Sequence, residues 1–174
     1  MASGDALCVW TALSNEPPDD DYATLDTILT TSGDEPDDVV PVLDFVFETT
    51  NEYASFSGFM PNHYAGTTGV TVTLIWTSEA TSGNVKWDAQ FRAHADSSDL
   101  LGETYATENT VTTTTDGTAR NINTSAITFT DGADMDSVVA NEYFRLSINR
   151  DAVDGADTMN ANDAELIAVY LTET

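Results

Sequence analysis

Positive charge is what this chain has least of. Its 174 residues hold five Lys and Arg side chains against thirty Asp and Glu, a formal net charge of −25 at pH 7. The five are Lys86, Arg92, Arg120, Arg145 and Arg150, so no cationic side chain precedes residue 86. Phosphate neutralisation needs clustered Lys and Arg, and their scarcity argues against nucleic acid as a direct partner. Cys8 stands alone, which excludes an internal disulfide framework. Its acidic surroundings do not favour a thiolate, so it reads as a small buried hydrophobe. No apolar run approaches the roughly 20 residues that span a bilayer, and no membrane partner is expected. Met1–Asp5 has neither the basic nor the apolar region of a signal peptide, so the chain is expected to be made as a soluble protein.

Net charge speaks to solubility and ionic environment rather than topology. At low salt such a chain repels itself, whereas at about 1 M salt the Debye length of roughly 3 Å screens most of that repulsion. The acidity therefore fits a protein built for concentrated salt, or one that must stay away from polyanions. Hydrophobic residues make up 41 %, with three Trp, six Tyr and seven Phe, enough bulk for one folded domain with a true core.

The first 38 residues differ from the rest. The apolar Ala6–Leu13 runs into an acidic, proline-bearing break from Asn15 to Asp21, Ala23–Leu29 reads as a strand, and a second acidic break covers Gly33–Asp38. Residues 1–38 are expected to form an extended arm with one or two strands, and residues 39–174 the main domain. From Val39 onward the pattern is β. Val70, Val72, Leu74 and Trp76 alternate with threonines, Val85, Trp87, Ala89, Phe91 and Ala93 alternate with polar residues, and Phe144, Leu146 and Ile148 alternate with Arg145, Ser147 and Asn149. Further strands are expected at Val39–Phe47, Ala54–Met60, Thr110–Thr115, Ala119–Asn123, Ala126–Thr130 and Ala164–Thr172, the last central because it is apolar on both faces. Pro41 places its strand near an edge or start. One helical turn is expected at Asp136–Ala140. Short strands divided by Gly, Asp, Asn and Ser turns predict an all-β, antiparallel, jelly-roll-like sandwich.

Catalytic machinery is hard to find. His63 lies in a turn and His94 on the outward side of its strand, both read as solvated or structural. Paired carboxylates are so plentiful that none marks a site, and no enzymatic activity is expected. Two Asp-rich loops are either solvated turns or calcium sites: Asp151, Asp154 and Asp157 in the first, Asp131, Asp134 and Asp136 in the second. No other cofactor is expected. Arg150, at a strand end before a polar loop, is placed to pair with a carboxylate and pin that loop. Trp76 and Trp87 share faces with apolar neighbours and read as core, the alternative being a sugar-stacking platform. In the arm, Trp10, Leu25 and Ile28 are candidate anchors for a partner subunit.

Several motifs occur in order: Asp44-Phe45, Phe56 through Pro61-Asn62-His63-Tyr64, Val70 to Trp76, Ser82 to Trp87, Ile148 to Asp151, Asp157-Thr158, and Asp163 to Leu166. Over residues 40–172 this resembles the jelly-roll virion structural proteins of tailed phages and related haloarchaeal or marine viruses, of the capsid decoration (cement) type. The resemblance implies a structural protein on the outer capsid surface, assembled in the host cytoplasm. It implies the major capsid protein as partner, and a homotrimer. The other role it implies is a tail or fibre component that binds a receptor or carbohydrate.

Overall fold

The computed structural model describes residues 4–29, 37–47, 50–159 and 162–174, so most of the second acidic break lies outside the described residues. Ten strands run through them: β1 (Ala6–Thr11), β2 (Thr24–Leu29), β3 (Val39–Phe45), β4 (Glu52–Phe59), β5 (Val70–Thr77), β6 (Asn84–His94), β7 (Asn109–Thr114), β8 (Asn123–Phe129), β9 (Tyr143–Arg150) and β10 (Ala164–Glu173). Sheet A has the order β2-β3-β10-β5-β8 with β1 also on β10, and sheet B the order β4-β9-β6-β7. Every pairing between these strands is antiparallel. Strands β3 to β10 by themselves make two four-stranded sheets in jelly-roll order, as the alternating pattern predicts.

Alternation builds the core. The inward residues of β5, β6 and β9 are buried, and Trp76 and Trp87 meet edge to face across the two sheets with centroids 5.9 Å apart. Phe45 packs on Trp87 at 5.0 Å and Phe91 on Phe129 at 4.9 Å, both edge to face. Where β5 begins, Gly69 has a φ of +89° and passes so close to β8 that a Cβ would lie 2.0 Å from the Phe129 carbonyl oxygen. No larger residue fits there.

Strand β10 is central, as its two apolar faces suggest. Opposite β5, Leu166 pairs with Trp76 and Ala168 with Ile75, so Ile167 is a bulge. On its other side β10 pairs with β3 before the bulge and with β1 after it. Pro41 falls on the stretch of β3 that has β2 but not β10 beside it, where a missing N–H costs least.

The N-terminal segment is extended, yet it is built into the sandwich. Trp10 explains why. Its ring is 8 % exposed and reaches from sheet A into sheet B, against Phe56 and Phe144, and its indole N–H donates to the Ser57 carbonyl at 2.8 Å. Gly58 leaves the space: a Cβ there would sit 3.1 Å from the indole. The partner-anchor expectation for Trp10 is thereby corrected, since the ring anchors its own chain. Residues 15–23 then run along β4, with Glu16 N–H donating to Ser55 O and Tyr53 N–H to Asp21 O. That covers an edge which would otherwise offer unpaired amides.

Two expectations from the sequence differ in detail. The two strands expected at Ala119–Asn123 and Ala126–Thr130 are one strand, β8, because Arg120 turns the chain with a φ of 65° before it. The helical turn expected at Asp136–Ala140 is a 3-10 turn at Ala133–Met135, ended by the positive φ of Asp136 and Ser137. Among the described residues no helix is long and apolar enough to cross a membrane.

Truncating Trp10 to Ala is expected to lower stability by about 3–5 kcal/mol in urea unfolding, since a cavity opens between both sheets. Leu25→Ala, on the exposed side of β2, is expected to change it by less than about 0.5 kcal/mol.

Candidate functional site

The outer face of sheet B carries a row of polar, charged and aromatic side chains that the core does not use. Because β4, β9 and β6 are neighbours, their outward residues line up in rows across the sheet. The first row is Phe59, Tyr143 and His94, the second Ser57, Arg145 and Arg92, the third Ser55, Ser147 and Gln90, and the fourth Tyr53, Asn149 and Asp88. Rings in the first row form a ledge, Phe59 to Tyr143 at 5.4 Å and Tyr143 to His94 at 5.4 Å, with Phe59 66 % exposed. Burial and then the nearby Arg92 lower the His94 pKa.

Two loops wall this face. Residues 15–23 lie along β4, and the β6–β7 connection folds back on β6, where Ala106 N–H donates to Phe91 O at 2.8 Å. Between them is a groove of about 460 Å³, floored by Ser55, Ser147 and Gln90 and flanked by Pro18, Tyr53, Tyr105, Arg92 and Arg145. Tyr105 organises its basic end, its ring lying 4.7 Å from the Arg92 guanidinium carbon. Arg145 donates to Glu16, 3.1 Å to the carboxylate and 3.4 Å to the backbone oxygen. Burial opposes the Arg145 charge, but the Tyr105 hydroxyl and Glu16 outweigh it and raise the pKa. The other end of the face is acidic. Burial raises the pKa of Asp88, and burial followed by Asp88 raises that of Glu108.

The candidate metal ligands of the first loop are directed to cations of the chain itself. Asp151 and Asp154 both accept from Lys86 Nζ, at 2.7 and 2.8 Å. Asp157 grips Arg150 through both oxygens at 2.9 Å, both side chains being essentially sealed from solvent. Arg150 also donates to the carbonyls of Phe45, Asn162 and Met159, so its five N–H groups are all used. This is the loop pin expected of Arg150. In the second loop Asp131 accepts from the Tyr64 hydroxyl, Asp134 from Thr130 and Asn109, and Asp136 from Ala93 N–H, each a separate staple. Among the described residues no three His, Cys, Asp or Glu side chains are grouped as a metal site.

Trp76 and Trp87 are fully buried and offer no sugar platform. His63 is exposed in its turn. Cys8 is half-buried and its thiol is pushed up to about 11 by burial, as for an inert cysteine. Leu25 is 54 % exposed on one side of β2. Ile28, on the other side, lines a groove of about 490 Å³ on sheet A with Val40, Ile122 and Ile167. Next to it Asp26, Asp44, Asp163 and Glu165 crowd around Arg120, which donates to Glu165 and, at 2.7 Å, to Glu79. Burial, with Glu165, Asp26 and Asp163 adding, raises the Asp44 pKa to about 6.

The residues that sequence reasoning missed are Tyr105, Gln90, Ser55 and Ser147. The phase of Gln90 and Ser147 opposite the apolar positions of β6 and β9 was readable, but their meeting depends on the pairing of strands far apart in the chain.

No protein-family model matches this sequence, and no curated protein matches it. A solved structure to which it is similar is a carbohydrate-binding module studied for its specific recognition of mannan. The TM-score is 0.40 at 7 % identity, over 99 % of this chain and 100 % of that chain.

Arg150→Met leaves Asp157 buried without its partner and is expected to lower stability by about 3–5 kcal/mol. Adding Asp157→Leu is expected to restore most of the loss, as read by urea unfolding. For Asp44, a folded pKa above the unfolded value near about 4 means that stability present at low pH is lost as pH rises through about 6. Asp44→Asn is therefore expected to flatten thermal midpoints between these pH values. At pH 7 it is expected to be more stable than the parent by roughly 1 kcal/mol, allowing for solvent screening.

Proposed function

We propose that this chain is a non-catalytic recognition module that binds carbohydrate on the outer face of sheet B. One observation carries the reading: a walled groove whose floor is hydroxyl and amide side chains, Ser55, Ser147 and Gln90, beside a ledge of rings, Phe59, Tyr143 and His94. Sugars present hydroxyls around a ring and apolar C–H groups on its faces. Short polar side chains meet the first and aromatic rings the second. The groove sits on strands, so its floor is held by the two ladders that fix β9 between β4 and β6.

A second reading is attachment to a virus shell or tail, and the β2–β3 hairpin favours it. Leu25, Leu29 and Val39 are each more than half exposed on that hairpin, and Ile28, Leu29 and Val40 line the groove beside it. A major capsid protein, or two further copies of this chain in a trimer, is the partner such a surface would take. The two readings are compatible: a virion component docked by the hairpin would present sheet B outward to a receptor glycan.

The test of the first is glycan-array binding with the labelled full chain. Gln90→Ala is expected to weaken the bound signals about tenfold, roughly one lost hydrogen bond with its unpaired partner, at an unchanged melting midpoint. Binding that survives both Gln90→Ala and Tyr105→Ala undiminished would remove the groove from the proposal. For the second, cosedimentation with assembled virus shells is expected to be lost on Leu25→Asp.

A further inference from the structure

We infer that the groove on sheet B selects glycans carrying an isolated acidic group, a carboxylate or a sulfate ester, held at Arg92 and Arg145. The inference rests on the glycan reading above and narrows it to one class.

Its basis is how this chain places its few cations. Arg92 and Arg145 are directly opposite one another on β6 and β9. Like charges at such cross-strand positions, with Cβ atoms about 5 Å apart, destabilise a sheet. A chain with thirty carboxylates and five cations has the means to avoid that pairing. Moreover, the Nε of each arginine is buried without a hydrogen-bond partner, which costs stability on its own account. Lys86, Arg120, Arg145 and Arg150 each have a carboxylate within salt-bridge distance. Among the described residues Arg92 is the one cationic side chain that has none. Its charge rests instead on the Tyr105 ring, which sets the guanidinium at the groove wall. An oxyanion in the groove supplies what the fold withholds: it separates the two like charges and accepts from a guanidinium that no protein carboxylate occupies.

The same charge count limits which anion enters. A formal −25 repels a ligand in proportion to the ligand's charge, while the groove offers one pair of arginines. A densely charged polymer gains one favourable contact and is repelled along its whole length. A sugar with a single acid group gains the contact and meets little repulsion, and its hydroxyls face Ser55, Ser147 and Gln90.

The experiment is an array of glycans in matched pairs, each with and without one uronate, sialyl or sulfate group, together with heparin, probed with the full chain and with Arg92→Gln. The acidic member of a pair is expected to bind at least about tenfold more strongly than its neutral counterpart, the worth of one charge-assisted hydrogen bond. The uronate, sialyl and sulfate arms show which group is preferred. Arg92→Gln is expected to reduce acidic members to the neutral level while the melting midpoint holds or rises, because a like-charge pair has been removed. Equal binding of acidic and neutral members overturns the inference and leaves the glycan reading standing. An acid preference that survives Arg92→Gln overturns the assigned site, and heparin bound above every singly charged member overturns the restriction to isolated charge. No binding to any glycan overturns inference and reading together.

Discussion

The Arg150–Asp157 pair is the constraint on which the sandwich closes. Arg150 stands at the end of β9 in sheet B, yet it donates to the Phe45 carbonyl at the end of β3 in sheet A. Its other donors hold Asp157, Met159 and Asn162, which brackets the loop that delivers β10 to the centre of sheet A. Asp157 also accepts from Lys86 N–H at the start of β6. Gly83 lets that loop come close, since a Cβ there would lie 2.8 Å from the Thr158 carbonyl oxygen. Removing two charges from water is costly, and such a pair adds little net stability over an apolar substitute. What it supplies is position: with five donors matched to fixed acceptors, only one arrangement of loop, β3 and β9 satisfies it.

How far the sequence discloses this depends on the range of the interaction. Period-two patterning is local, so β5, β6 and β9 and their buried faces were readable from Val70, Trp87 and Phe144 outward. The scarcity of cations made Arg150 conspicuous, and its pairing with a carboxylate was readable without knowing which one. Spacing misled at Asp151, Asp154 and Asp157. Three carboxylates close in sequence suggest one centre, but the chain sends two of them to Lys86, more than sixty residues earlier, and one to Arg150. Trp10 misled for the same reason. Its segment looks like a free arm until Phe56, Phe144 and the gap at Gly58 are brought to it by strands that lie far along the chain.

The candidate site was legible one strand at a time and illegible as a whole. Arg92 and Arg145 each stand out as rare residues in the polar phase of a strand. That they face each other follows from β9 lying between β4 and β6, a nonlocal pairing that neither strand's sequence announces. Tyr105 comes from a loop with no periodicity at all, and only the folded chain sets it beneath one arginine and beside the other.

Read together, the cations describe a division of labour in an acidic chain. Lys86 ties β6 to the β9–β10 loop across 65 residues, Arg120 ties the turn before β8 to β10 across 45, and Arg145 ties β9 to the N-terminal segment across 129. Each joins parts that hydrophobic alternation alone leaves free to slide, and each is placed where a carboxylate on a distant segment is its fixed partner. Surface ion pairs of this kind contribute little singly, so their value lies in register rather than energy. Arg92 is the departure from this rule. Among the described residues it meets no carboxylate, it faces another arginine, and it is braced by an aromatic ring rather than by an acid. Where every other cation among the described residues has a carboxylate of the chain beside it, a guanidinium without one is an argument about something outside the chain.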